Sequence, residues 1–282
     1  MTTVTTPLPA ALRALGALFT GSDAGIHTLP ADVVDLRRAL AHLTDTPTPE
    51  AVDERALHAS LVAAAVAAAH RGDGPPDVTL LVDAGRARAL ADARRRVLDE
   101  ATSAVAGELR DAIVDGAEAI LGDHLRPAFD ELVAELKAAC AAFSPYGDAA
   151  PALLRAPDKA RKAFAGLGDL SARWAALRNS RAALANAGYT ARADEFGLFA
   201  LVRNADHFTD MTRARTMSKI ADGLPWRGLA GTDWQLWFGT NPGAELWLPT
   251  PDEQDAAFNA VFGARIAAQA RSQQLAAMAH AM

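Results

Sequence analysis

Cysteine, tyrosine and long apolar runs are scarce in this chain of 282 residues, and each scarcity excludes a class of structure. A single cysteine, Cys140, is too few for an internal disulfide or for a cysteine-based zinc site. Without a run of about 18 apolar residues, neither a spanning helix nor a membrane partner is expected. The seven histidines include no pair at i, i+4, so the sequence predicts no metal site, no catalytic residues and no cofactor.

Alanine is the most abundant apolar residue and accounts for 67 of the 141, so few larger apolar side chains remain to form a core. It is the best helix former, and the β-branched and aromatic residues that favour strands are few. The fold class expected is therefore mainly α, an elongated helical bundle built on one long helix over about 84–143. The N-terminus lacks the basic start of a secretory signal, so we expect a cytoplasmic protein.

Glycine and proline divide the chain into three expected regions. The first, 1–76, is helical and ends in a Gly/Pro cluster at 72–76. The second, 77–221, holds the long helix and a helical hairpin, and the third, 222–282, holds a Trp-rich segment and a C-terminal helix. A β-type run at 78–82 is too isolated to form a sheet. Helices besides the long one are predicted over about 9–19, 30–43, 49–71, 157–187, 190–220 and 251–281.

The long helix carries an apolar stripe with an unusual period. From Leu90 to Phe143 the stripe covers 53 residues in 14 steps, a mean of about 3.8 residues, against about 3.5 in a left-handed coiled coil. This period predicts a straight or slightly right-handed helical layer. Gly122 and Pro127 mark an interruption, which we interpret as a kink or a close restart of the helix.

Charge is distributed unevenly between consecutive helical stretches. Residues 99–135 have a net charge of −8, whereas residues 155–181 have a net charge of +5, which predicts an antiparallel helical hairpin. Alternatively, the basic residues contact phosphates and the chain binds nucleic acid, although its acidic balance disfavours this. The basic surface candidates are Arg94, Arg95, Arg96, Lys159, Arg161 and Lys162.

Four of the five tryptophans lie within residues 222–251, together with five glycines and four prolines. Residues 234–238 and 244–248 fit either a β-hairpin or two short helices, and the sequence does not decide between them. The indole rings either cover helix ends as a lid or form a protein-contact surface. The protein-contact candidates are Trp226, Trp234, Trp237 and Trp247.

The chain resembles helical accessory proteins from the structural gene clusters of actinobacterial tailed phages or prophages. The resemblance lies in an Ala/Arg-rich helix at 84–143 followed by the compact segment Glu245-Leu246-Trp247-Leu248-Pro249-Thr250-Pro251-Asp252-Glu253. The resemblance is one of sequence style over most of the chain, and it includes no defining motif. The resemblance implies a virion component or a capsid-assembly factor, located in the virion, and transfers no functional residues.

We predict a non-enzymatic structural or assembly protein that acts through protein–protein contacts, as a homo-oligomer or within a larger assembly. Long helices of small residues bury little apolar area alone, so other copies are expected to complete their packing. The alternative is a helical enzyme or small-molecule binder with a pocket between the long helix and the Trp-rich segment. The polar groups of that pocket would be His207, Asp210, Arg213 and Arg215.

Overall fold

A computed structural model describes residues 9–47, 53–72, 74, 79–144, 155–210, 216–229 and 233–280. Most of these residues are helical, so the prediction of a mainly α fold is confirmed. The β pairing within the described ranges is one isolated antiparallel bridge, between Val202 and Leu246. The α-helices used below are α1 (Gly16–Asp23), α2 (Ala31–Asp45), α3 (Glu54–Arg71), α4 (Thr79–Asp115), α5 (Arg126–Phe143), α6 (Asp158–Ala165), α7 (Leu167–Asn186), α8 (Met217–Asp222), α9 (Asp233–Thr240) and α10 (Pro251–His280).

Contacts along the chain divide it into two compact units. Unit 1 comprises residues 1–11 and 32–111, and unit 2 comprises residues 12–31 and 112–282. Unit 1 therefore contains α3, nearly all of α2 and the greater part of α4, while unit 2 contains α1 and the helices that follow α4. The three regions expected from composition stay a prediction.

Side-chain caps and a glycine stop explain where several helices begin and end. The carboxylate of Asp53 accepts two backbone N–H groups at the start of α3, each at 3.0 Å. Gly72 ends α3 in the left-handed region with a φ of +74°. Before α10, the Thr250 N–H donates to the Glu253 carboxylate at 2.8 Å, and the Glu253 N–H donates to the Thr250 hydroxyl at 3.1 Å. This reciprocal pair fixes the start of the C-terminal helix where the sequence predicts it.

The predicted long helix is nearly continuous, with one irregular stretch. After α4 comes Gly116, where a Cβ atom would lie only 2.8 Å from the carbonyl oxygen of Ala112. One α-helical turn and a π-helical segment at Ile120–Leu125 then lead into α5. Pro127, which has no N–H to donate, lies in the first turn of α5. The interruption predicted near Gly122 is therefore a wide turn followed by an immediate restart.

The helix predicted over 190–220 is wrong for most of its length. The described residues after α7 are irregular up to a short 3-10 turn at Ala205–His207, and only α8 is helical near the end of the predicted range. Gly188 and Gly197 adopt φ values of +114° and +64°, which a continuing helix does not permit. The β-type run at 78–82 is helical from Thr79 onward.

The Trp-rich segment forms a helix followed by an extended stretch, and no β-hairpin occurs in the part of it that the structure describes. Trp234 and Phe238 both lie in α9. Leu246, in the extended stretch, pairs with Val202 instead of with residues 234–238. The short-helix alternative therefore holds for the first half of the segment alone.

Helix α5 lies at the centre of unit 2, where it packs against α6, α7 and α9. Phe129, near its start, contacts Trp174 of α7, and Phe143, at its end, contacts Phe164 of α6. Because the partner numbers fall as the α5 numbers rise, α5 runs antiparallel to the α6–α7 stretch. An antiparallel helical hairpin is therefore present in this unit, and of the acidic stretch from which it is predicted, 99–135, it includes only the part that lies in α5.

Candidate functional site

Aromatic side chains from several helices of unit 2 form one connected cluster. Trp174 and Trp234 stack with their ring centroids 4.2 Å apart, and Trp234 also contacts Phe238 at 6.0 Å. Beyond these rings the contacts continue edge to face, which is a favourable geometry for aromatic pairs. We call this the aromatic cluster, and its members are Phe129, Trp174, Phe208, Trp226, Trp234, Trp237 and Phe238.

The four predicted contact tryptophans differ in accessibility. Trp226 and Trp234 are only 8% and 7% exposed, so nearly all of their surface is used inside unit 2. Trp237 and Trp247 are half-buried. The indole N–H of Trp247 donates to the carbonyl oxygen of Phe199 at 2.7 Å. Burial favours the lid interpretation for Trp226 and Trp234, while a contact role for the four tryptophans stays a prediction.

A cavity of about 410 Å³ lies between α5 and α9, beside the aromatic cluster. Phe238 and Leu246 contribute to its apolar wall, and the buried Cys140 also lines it. The Cys140 thiol lies 3.7 Å from the backbone oxygen of Gln235. Burial raises the pKa of the Cys140 thiol, so it stays protonated and is a poor nucleophile.

This cavity lies between the long helical run and the Trp-rich segment, which is the position predicted for the pocket of an enzyme or small-molecule binder. Two of the polar residues predicted for that pocket, His207 and Asp210, do not line the cavity. Arg213 and Arg215 lie outside the described residues. The polar side chains that do line the cavity are Lys137, Ser144 and Asn241.

All six basic candidates are exposed, on α4 for Arg94, Arg95 and Arg96 and on α6 for Lys159, Arg161 and Lys162. Arg95 pairs with Asp92 at 3.4 Å, and Arg161 pairs with Asp158 one turn away. These acidic neighbours reduce the local positive charge that phosphate binding would use. A nucleic-acid role for the basic candidates stays a prediction.

A buried carboxylate, which is not among the site residues predicted from the sequence, organises the irregular stretch after α7. Asp194 is 2% exposed and accepts the backbone N–H groups of Leu198 and Phe199, each at 2.8 Å. It also accepts the side-chain amide of Gln254 at 2.9 Å. Burial raises the pKa of Asp194, and the two N–H donors oppose that rise. The hydrogen-bond donors to this carboxylate are groups of the chain itself, so we assign Asp194 a structural role.

A histidine–serine pair is buried where α1 packs against α7. His27 Nε2 lies 3.0 Å from Ser180 Oγ, and Nδ1 lies 2.9 Å from the carbonyl oxygen of Thr28. Since a carbonyl only accepts, Nδ1 carries the proton and the serine hydroxyl donates to Nε2. Burial lowers the pKa of His27 and keeps the ring neutral. A Cβ atom on Gly21 would lie 2.6 Å from Nε2, so the space beside this pair is filled and cannot admit a substrate.

Unit 1 differs from unit 2 in how it uses large apolar side chains. Among the described residues, the exposed large hydrophobic side chains are Val34, Val62, Val66, Val82, Leu90, Val97, Phe196 and Ile266. The first six belong to unit 1. Its buried hydrophobic residues, over the same described positions, are Val33, Leu40, Ala68, Ala84, Ala91, Ala106 and Leu109. Unit 1 therefore buries mainly alanine and leaves larger side chains in contact with solvent.

Within the described ranges, no group of three or more His, Cys, Asp or Glu side chains is arranged to hold a metal ion. The same residues include no helix of the length and apolarity needed to cross a bilayer. Comparisons with protein-family models, with curated proteins and with solved structures find no match. The function of the chain is therefore inferred from its own surfaces and cavities.

Proposed function

We propose that this chain is a non-enzymatic helical structural or assembly protein that acts through protein–protein contacts. The observation that carries the proposal is the surface of unit 1, which holds six of the eight exposed large hydrophobic side chains found among the described residues. Large apolar side chains that stay exposed along one face of a helix are typical of an interface that another chain covers.

The exposed side chains are aligned along the helices of unit 1. On α3, Val62 and Val66 are one turn apart and are 49% and 53% exposed. On α4, Leu90 and Val97 are two turns apart and are 69% and 65% exposed. Burying a side chain of this size completely is worth about 1.5–3 kcal/mol. Covering these four positions would therefore contribute several kcal/mol to association.

A four-site variant of the full chain tests this proposal. We expect the wild-type chain to form a defined oligomer in sedimentation velocity experiments. Glutamine at Val62, Val66, Leu90 and Val97 preserves helix propensity, removes the apolar surface and should weaken association by at least about tenfold. A chain that remains monomeric from low micromolar to near-millimolar concentration would overturn the proposal.

The matched control replaces the two exposed large apolar residues of unit 2. Phe196→Gln and Ile266→Gln remove exposed apolar surface that lies outside unit 1, and circular dichroism of both variants should match the wild type. We expect association of the control to stay within about twofold of wild type. Equal losses in the two variants would contradict an interface in unit 1.

A narrower form of the proposal assigns these contacts to a virion or to a capsid-assembly factor. The support for it is the resemblance in sequence style to phage accessory proteins. Copurification of the chain with large particles would support this form, whereas a small closed oligomer in every preparation would contradict it.

Binding of a small apolar molecule is a second candidate function, favoured by the cavity between α5 and α9. Its volume of about 410 Å³ lies within the range of small-molecule sites, and Lys137, Ser144 and Asn241 offer polar contacts. Thermal-shift screening with a panel of apolar ligands tests it. Ala141→Phe, which narrows the cavity from its exposed rim, should abolish any shift. A shift that survives this substitution would place the ligand elsewhere.

A further inference from the structure

We infer that α4 pairs in antiparallel orientation with α4 of a second copy of this chain, through the face that carries Val82, Leu90 and Val97. The inference rests on the proposed function and names one of its contacts. The pairing involves the part of α4 that belongs to unit 1, which ends at Asp111.

An exposed stripe of apolar residues runs along this part of α4. At about 100° per residue, Val82, Leu90, Ala93, Val97 and Ala104 fall within an arc of roughly 80°. All five are exposed. The buried residues of α4 within the same range lie on the opposite side of the helix, and they are Ala84, Ala91, Ala106 and Leu109. The stripe therefore lies on the face of α4 opposite to its buried residues.

The charge along α4 is divided between its two halves. Residues 79–98 contain five basic and two acidic side chains, a net charge of +3, and residues 99–111 contain four acidic and one basic, a net charge of −3. In an antiparallel pair the basic half of each helix lies against the acidic half of the other. A parallel pair would instead place like charges against each other. The charge pattern therefore favours a second copy of this chain as the partner and an antiparallel orientation of the two helices.

Charged side chains share this face of α4 with the apolar stripe, four of them within its arc and Arg94 and Arg96 at its two edges. On the basic half they are Arg86, Arg94 and Arg96, and on the acidic half they are Glu100, Glu108 and Asp111. Arg94, Glu100 and Glu108 form no ion pair with any other residue that the structure describes. Their charges are therefore not neutralised within the described part of the chain.

Two-fold symmetry makes the arrangement self-complementary. Val97 lies midway in sequence between Arg86 and Glu108, so an axis near Val97 brings the two oppositely charged ends to the same level. The same axis places Leu90 of one copy at the level of Ala104 of the other, a large side chain beside a small one. Each charge pairing then occurs twice in the dimer.

Block reversals of charge in the full chain test the pairing. The first variant carries Arg86→Glu, Arg94→Glu and Arg96→Glu, and the second carries Glu100→Arg, Glu108→Arg and Asp111→Arg. Sedimentation velocity should show each variant associating at least about tenfold more weakly than wild type, because each reversal changes two symmetry-related pairings. An equimolar mixture of the two variants should recover association within about threefold of wild type.

The control variant exchanges Arg95→Glu and Asp99→Arg, which are sequence neighbours of the tested residues on the other side of the helix. It should associate as wild type does, and circular dichroism should show unchanged helix content in all variants. Wild-type association that survives both block reversals would overturn the α4 pairing while the proposed function stands. A loss confined to the first variant would also overturn it, since pairing requires both halves. A wild-type chain that never associates would overturn the proposed function as well.

Discussion

Replacing Trp234 with alanine tests whether the aromatic cluster is internal packing or a contact surface. The side chain is 7% exposed and stacks on Trp174 at 4.2 Å, so truncation leaves a cavity in unit 2. Large-to-small changes at buried tryptophans cost about 3–5 kcal/mol. Of this loss, about 0.5–1.5 kcal/mol should belong to the stacked pair itself, because offset aromatic pairs contribute that much beyond area burial.

Urea unfolding followed by circular dichroism, at fixed protein concentration, measures the loss in the free energy of unfolding. A double-mutant cycle with Trp174→Ala isolates the stacking contribution. The control is Trp247→Phe, which removes the hydrogen bond to Phe199 but keeps a ring, and it should cost about 1 kcal/mol. If Trp234→Ala unfolds within about 0.5 kcal/mol of wild type while association weakens, the ring belongs to an interface and the packing interpretation is refuted.

Four further outcomes follow from the buried groups and caps. Gly21→Ala places a Cβ atom 2.6 Å from the His27 ring and should destabilise by about 1–3 kcal/mol in urea unfolding, whereas Gly168→Ala in α7, with nothing within 4 Å, should stabilise by up to about 1 kcal/mol. The pKa of His27 is lowered by burial, so the unfolded state binds more protons as the pH falls below about 6.5 and stability should decline there; His27→Gln should flatten that decline in pH-dependent melting. Asp194→Ala leaves three buried N–H donors unpaired and should cost more than about 3 kcal/mol in urea unfolding at neutral pH, and a loss below about 1 kcal/mol would contradict the role of the carboxylate. Thr250→Ala removes half of the capping box and should cost about 1 kcal/mol, which Thr250→Ser should restore.

Helix positions follow from signals that are close together in the sequence, which is why they could be predicted. The capping box at Thr250 and Glu253 spans one turn, and the glycine stop at Gly72 acts on the turn before it. Alanine content alone favours the mainly α class. These signals need no knowledge of tertiary contacts.

The irregular stretch after α7 could not be predicted, because its partners are distant in the sequence. The carboxylate of Asp255 accepts the backbone N–H groups of Arg192, Ala193 and Asp194, about sixty residues earlier. These bonds replace the helical bonds that local propensity favours over the same residues. A single sequence contains no indication that Asp255 lies beside them.

The tryptophan site could be predicted in part. Composition identifies the Trp-rich segment, but Trp174 joins the aromatic cluster from α7, some sixty residues earlier. Burial of Trp226 and Trp234 is likewise set by packing against other helices and has no signature within the segment. The division into two units also depends on contacts rather than on the glycine and proline stops.

The π-helical segment at Ile120–Leu125 affects how the residues before it and after it are rotated about the helix axis. Each residue gained or lost in a helix rotates everything after it by about 100°. The apolar stripe predicted from Leu90 to Phe143 repeats about every 3.8 residues, more than the 3.6 of an α-helix, and a π-helical turn also holds more residues than an α-helical one. Because a π-helical turn holds about one residue more than an α-helical turn, deleting Gly122 should restore an ordinary α-helical turn and leave Phe129 and Leu132 facing the core, whereas deleting a residue within α5 before Phe129 would rotate both side chains away from it.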